Sequence, residues 1–116
     1  MKRYEASRSP CPIGRASRIL GDRWVLLILR EAFLGVSQFE EFKNRLPISR
    51  ATLSSRLALM IEAGLLLRDP PDAKRACYQL TEAGHALQPA YSAISDWSAE
   101  HLFGGDEKPR DWNVSE

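Results

Sequence analysis

Residues that do chemistry are scarce in this chain of 116. It has two cysteines, Cys11 and Cys77, and two histidines, His85 and His101. The cysteines lie too far apart for a metal knuckle, and neither histidine is spaced to complete a zinc set with them, so no metal is expected. There is no pair of catalytic carboxylates, no nucleophile with a base at a suggestive spacing and no glycine-rich phosphate loop. Neither an enzyme nor a bound cofactor is expected. Long apolar runs are missing: the longest, Trp24 to Leu29, is about a third of the roughly 20 residues that cross a bilayer. The opening Met-Lys-Arg-Tyr-Glu-Ala-Ser-Arg-Ser lacks the apolar segment of a secretory signal, which points to the cytoplasm. In that reducing compartment a structural disulfide is not expected. Net charge is small as well, at +1.

What is present is an ordinary globular composition, 44 % hydrophobic, in a chain long enough for one domain with a modest core. Its charge is unevenly spread. From Lys43 to Arg75, seven basic residues (Lys43, Arg45, Arg50, Arg56, Arg68, Lys74, Arg75) stand against three acidic ones (Glu62, Asp69, Asp72). That local surplus of +4 leaves −3 for the remainder. A basic middle in an otherwise acidic chain is the asymmetry of a small nucleic-acid binder.

The centre of that stretch, Ser49 to Gly64, reads as one helix with both ends marked. Ser49 is a good N-cap, Ile48 and Leu53 are spaced as a hydrophobic staple, and Gly64 sits where a left-handed residue closes a helix. At about 100° per residue the interior separates into two faces. Leu53, Leu57, Met60 and Ile61 share an apolar arc. Thr52, Ser55 and Arg56 lie opposite, with Arg50 and Ala51 at the exposed start and no carboxylate until Glu62. An ordinary solvated face mixes Glu with Lys. This one is hydroxyl-rich and positive, suited to the phosphates and base edges of duplex DNA.

The neighbours give that helix a setting. Residues 1–10 are polar and basic, a flexible arm. Pro12 opens an amphipathic helix with Ile13, Ala16, Ile19 and Leu20 on one side, broken by Gly21. Asp22 to Leu34 is apolar nearly all round, hence a buried central helix. Ser37 and Glu40 have capping-box spacing for a helix that buries Phe39, Phe42 and Leu46 and ends at Pro47. The tight corner into Ser49 makes a helix-turn-helix. Leu65–Arg68 and Ala76–Leu80 then read as strands of a hairpin, with Tyr78 and Leu80 inward and Lys74 and Arg75 at its tip. Thr81 caps a last helical region, which Pro89 must kink or restart. The fold class is mainly α (α+β): a winged helix-turn-helix over residues 11–103, followed by a charged tail, 104–116, expected to be disordered. The role of Trp112 in that tail is not legible.

These elements resemble the HxlR-type regulators of bacteria, a branch of winged-helix transcription factors related to the MarR group. The likeness rests on Cys11-Pro12, Leu20-Gly21-Asp22-Arg23-Trp24 and Leu27-Ile28-Leu29-Arg30-Glu31. It continues through Phe39-Glu40-Glu41-Phe42, Leu46-Pro47-Ile48-Ser49, Leu53-Ser54-Ser55-Arg56-Leu57 and Glu62-Ala63-Gly64-Leu65. Tyr78-Gln79-Leu80-Thr81-Glu82-Ala83-Gly84 and Trp97 complete it. The resemblance implies a homodimer with N- and C-terminal dimerisation helices, binding an operator of two inverted half-sites as a repressor or activator. It implies DNA contacts from Ser49, Arg50, Ala51, Thr52, Ser54, Ser55 and Arg56 on the groove-entering helix, and from Lys74 and Arg75 on the wing. Two departures stand out. Pro70-Pro71-Asp72 in the wing weaken its expected groove contacts, and Ala51, Ala58 and Leu59 stand where longer polar residues are common.

Other readings compete at each site. Arg56 lies at the edge of the polar arc, where it either meets DNA or braces the fold through an acidic partner. Cys11, at a helix start with Arg15 and Arg18 nearby, is a candidate sensor for an oxidant or electrophile, as the resemblance implies for some relatives; the alternative is a small packed residue. Cys77 reads as inert. Leu87, Tyr91, Ile94 and Trp97 recur at helical spacing and, with Ile13, Ala16 and Ile19, form the expected dimer interface; a small-molecule pocket between subunits is the alternative. The competing function for the whole chain is a winged-helix module that binds protein without specific DNA recognition.

Overall fold

Local caps decide where each helix of this chain begins. In the computed structural model, which describes residues 4–71 and 75–113, the order is α1 (Pro12–Leu20), α2 (Arg23–Phe33), α3 (Phe39–Arg45), α4 (Arg50–Glu62), β1 (Leu66–Asp69), β2 (Cys77–Leu80), α5 (Glu82–His85) and α6 (Gln88–His101). Asp22 caps α2, its Oδ1 accepting the Trp24 and Val25 N–H groups at 2.8 and 3.1 Å. Ser49 caps α4 by accepting the Thr52 N–H at 3.1 Å, and Gly64, at φ +83°, turns the chain out of that helix. Thr81 caps α5 and also donates its hydroxyl to the Gly64 carbonyl, tying the end of α4 to the end of the wing. Pro89 restarts the chain as α6 rather than kinking a continuous helix.

The expected capping box at α3 does not form. The N-cap is Gln38, without a side-chain bond. The Ser37 carbonyl accepts the Tyr78 N–H of β2 at 2.7 Å, which fixes where α3 starts from outside the helix. Glu40 meets the guanidinium of Arg50, a charge-assisted partner stronger than a neutral backbone N–H.

One core joins these elements. Val25, Ile28 and Leu29 of α2 are fully buried with Phe42 of α3, Leu53, Leu57 and Met60 of α4, and Leu66 of β1. Each such side chain contributes about 1.5–3 kcal/mol when removed from water. The helix expected to be buried on every side is not: Trp24, Leu26, Leu27 and Phe33 are half-buried, because α2 keeps one flank for α6 and the tail. There the Tyr91 hydroxyl donates to the Leu26 carbonyl at 2.7 Å, and the Trp112 ring sits edge-on to Phe33 with centroids 5.5 Å apart. Ile19, expected at a dimer interface, is buried in the chain's own core, and Leu87 and Tyr91 pack against that core.

The two strands pair antiparallel in the register Leu66↔Leu80, Leu67↔Gln79, Arg68↔Tyr78 and Asp69↔Cys77. Gly84 lies under this hairpin, where a methyl group would run into the Leu65 carbonyl and reach Leu80 Cδ2 at 3.0 Å. Gly84→Ala should therefore destabilise the fold by about 1–3 kcal/mol, the usual cost of overpacking against backbone. Urea unfolding checks this; a midpoint equal to wild type would refute the close packing.

Candidate nucleic-acid interface

With Leu53, Leu57 and Met60 sealed inside, the opposite side of α4 faces out. Ser49, Arg50, Ala51 and Ser54 are exposed, while Thr52, Ser55 and Arg56 are half-buried. The Ser49 hydroxyl donates to Thr52 Oγ1 at 2.9 Å, so the two hydroxyls stiffen the first turn together.

Carboxylates from outside this segment reach both arginines. Arg50 Nη2 lies 2.7 and 2.9 Å from the two oxygens of Glu40, with both side chains more than 60 % exposed. An ion pair so open to solvent is worth about 0–1 kcal/mol, weak enough to exchange for another anion. Arg56 Nε donates to Asp22 Oδ2 at 2.9 Å in a less open setting, and its Nη1 reaches Ser55 Oγ at 3.5 Å. Of the two readings of Arg56, the geometry follows the bracing one: Asp22 caps α2 with one oxygen and holds α4 with the other.

On the wing side, Arg75 is exposed and shares a cavity of about 640 Å³ with Glu40, Arg68 and Tyr78, between α3 and the hairpin. Lys74, the other expected wing contact, lies outside the described residues. Glu40 thus belongs to two edges of the candidate interface, a role the sequence reading missed. Its ten-residue separation from Arg50 carries no local signal; only the corner between α3 and α4 brings them together.

Cys11 is exposed and caps α1, its Sγ accepting the Gly14 N–H at 3.4 Å. Arg15 and Arg18 do not serve the thiol. Arg15 Nε donates to the Ser9 carbonyl and Arg18 Nε to the Glu5 carbonyl, at 2.5 and 3.0 Å. Both cysteines are free thiols, and Cys77 is half-buried in β2. Among the other interface candidates Ile13, Ile94 and Trp97 are exposed and Ala16 is half-buried. Leu102 and Phe103 extend the exposed apolar surface beyond the residues read from the sequence. Among the described residues, no helix is long and apolar enough to cross a membrane.

Three helices folded over one another, the last of them outermost and followed by a two-stranded hairpin, define a winged helix-turn-helix. The chain belongs to the HxlR-like helix-turn-helix family, whose pattern matches residues 19–105. It is 48 % identical over 92 residues to the HTH-type transcriptional regulator Rv3095 of Mycobacterium tuberculosis, an alignment covering 78 % of this chain and 58 % of that one. This chain thus spans less than two thirds of that relative's length. It is 31 % identical over 100 residues to the HTH-type transcriptional regulator YodB of Bacillus subtilis, covering 83 % of this chain and 89 % of YodB. The crystal structure of PA1607, a candidate transcription factor, matches with a TM-score of 0.81 and 34 % identity over 87 % of this chain and 72 % of that one. Family and winged fold are those the sequence led us to expect.

Because Asp22 serves a helix end and an interhelical pair at once, Asp22→Ala should cost about 1–2 kcal/mol from the cap alone. Arg56→Ala should cost less, about 0–1 kcal/mol, since its partner keeps the cap. Thermal unfolding of both variants and of the double mutant checks this; equal losses would remove the dual role of Asp22.

Proposed function

We propose that the chain is a homodimeric DNA-binding transcriptional regulator that reads an inverted-repeat operator, one half-site per subunit. The observation that carries this reading is the outer face of α4: hydroxyls and Arg50 on a helix whose inner face is fully buried. Arg50, Ser54 and Ser55, with Ala51 and Thr52, meet the major groove, and Ser49 the adjoining backbone. Arg75 meets the flanking backbone together with Lys74. Arg56 acts at one remove, setting the angle of α4 through Asp22. The phosphate displaces Glu40 from Arg50 on binding, so Glu40 opposes association.

A two-fold partner covers Ile13, Ile94, Trp97, Leu102 and Phe103, apolar side chains whose exposure calls for a lid. Cys11 lies two residues from Ile13, close to that seam. Oxidation there would alter how the subunits meet and so the spacing of the two α4 helices. In support, YodB, a 31 % identical relative, has been characterised both in a reduced form and after diamide treatment.

An operator selected from a random duplex pool gives the probe for titration by fluorescence anisotropy. Arg50→Ala and Ser55→Ala should each weaken binding by about tenfold or more, the usual effect of losing a base or phosphate contact, with the dimer intact by light scattering. Glu40→Gln should tighten it and steepen the salt dependence, because the guanidinium is released to the phosphate. Wild-type affinity in all three variants, or a flat salt response without retention on heparin, would refute the DNA reading in favour of a protein-binding module. Diamide should change operator affinity in wild type and leave Cys11→Ser unaffected; an equal response in both would remove Cys11 as the sensor.

A further inference from the structure

Within one chain, α6 is thinly attached. None of its 14 residues is buried, and it carries Ile94 and Trp97, each more than half exposed, on the surface that the proposed second copy covers. Its hold on the rest of the domain is aromatic. Tyr91 packs against the core beside Leu87 at the helix start, and its hydroxyl donates to the Leu26 carbonyl of α2 at 2.7 Å. The Tyr91 and Phe33 rings meet with centroids 5.3 Å apart and planes at 62°. Trp112 then closes on both. Its ring lies 5.5 Å from Phe33 at 83° and 5.4 Å from Tyr91 at 45°, and its Nε1 donates to Ser92 Oγ at 3.3 Å. All three separations fall in the roughly 4.5–7 Å range in which tilted and edge-on rings attract.

The tail is shaped for this return. The Gly104 carbonyl accepts the Glu107 N–H at 3.1 Å, the Glu107 carboxylate accepts the Gly104 N–H at 2.9 Å, and Gly105 takes φ +59°. The family match ends at residue 105, so the third ring of the cluster comes from beyond the shared pattern. On its inner side α2 holds α4, with Val25, Ile28 and Leu29 in one core with Leu53, Leu57 and Met60. The angle at which α6 leaves α2 is therefore the angle between the apolar surface of α6 and the outer face of α4. We propose that Phe33, Tyr91 and Trp112 form a joint that fixes this angle. Trp112 is then a positioning residue: in a two-fold dimer it sets the separation of the two α4 helices, and so the half-site spacing the protein accepts. This inference rests on the dimeric DNA reading above. One added base pair moves a half-site by about 3.4 Å and turns it by roughly 35°, a change that a loose joint follows and a fixed one resists.

Two measurements on the full chain test it, one of them without DNA. Amide hydrogen exchange reads the hold on α6. Trp112→Ala removes two ring contacts, each worth about two- to tenfold in a local opening equilibrium, so α6 amides should exchange about tenfold or more faster while those of Ile28 and Leu29 stay put. Trp112→Phe, which keeps a ring, should lie near wild type. Unchanged α6 exchange in Trp112→Ala would overturn the joint. The second measurement titrates the selected operator against versions with one base pair added or removed between the half-sites. Wild type should bind the altered spacings about tenfold or more weakly, since the duplex must be strained to fit. Trp112→Ala should narrow that gap by about threefold or more and bind an isolated half-site like wild type. An equal spacing preference in both proteins, or a loss that falls as heavily on the isolated half-site, would overturn the positioning role. A wild type that selects no operator would overturn the DNA reading and the spacing role with it, and exchange then decides the joint alone.

Discussion

The seating of α4 decides the rest. Leu53, Leu57 and Met60 are fully buried with Phe42 and Leu66 beneath them. At about 1.5–3 kcal/mol each, these three side chains together rival the 5–15 kcal/mol that typically separates a folded domain from its unfolded chain. Turning α4 by one residue would swing this stripe by about 100° and give most of that up. The surface ion pairs cannot compete at about 0–1 kcal/mol apiece. The outward direction of Arg50, Ser54 and Ser55 is therefore a consequence of core burial, and their own polar contacts only trim it.

That hierarchy explains what could be read from the sequence. The inner stripe of α4, the Ser49 cap, the Gly64 exit, the corner after Pro47 and the hairpin all follow from spacing or from turn-forming residues, and all are where the pattern puts them. The polar partners were not legible. Glu40 has capping-box spacing from Ser37, yet Arg50 takes its carboxylate, while the Ser37 carbonyl, which a capping box does not use, anchors β2. Both outcomes depend on elements that meet only when the domain closes. A charge count along a segment misses them too: residues 43–75 carry a surplus of +4, but Asp22 and Glu40, outside that window, sit against two of its arginines.

The same limit applies to α2 and the tail. A run of Trp24, Val25, Leu26, Leu27, Ile28 and Leu29 says that the helix is covered, and not by what. Its inner side is covered by α3 and α4; its other flank meets Tyr91 of α6 and Trp112 from beyond residue 105. Ile19 shows the reverse error. Helical spacing groups it with Ile13 and Ala16, but Ile19 falls within the core while Ile13 stays 77 % exposed. Periodicity assigns a residue to a face, and only packing says whether the face turns to its own chain or away from it.

On the proposed reading, a nearly neutral protein meets DNA with two of its α4 arginines held by carboxylates. Non-specific affinity comes from phosphate contacts alone, so each free cation near the groove strengthens every site equally. Holding Arg50 on Glu40 makes any duplex displace a carboxylate before it gains that contact. Specificity is a difference of affinities, so a carboxylate that weakens all binding by the same amount lowers absolute affinity and leaves the ratio of right to wrong sites unchanged. On the proposed reading, discrimination between sequences falls instead to base-edge contacts at Ser54 and Ser55, which a correct sequence adds and an incorrect one lacks. Arg56 marks the limit of this logic. Its carboxylate partner also caps α2, so releasing it would loosen the frame that aims α4, and it stays in place as a brace.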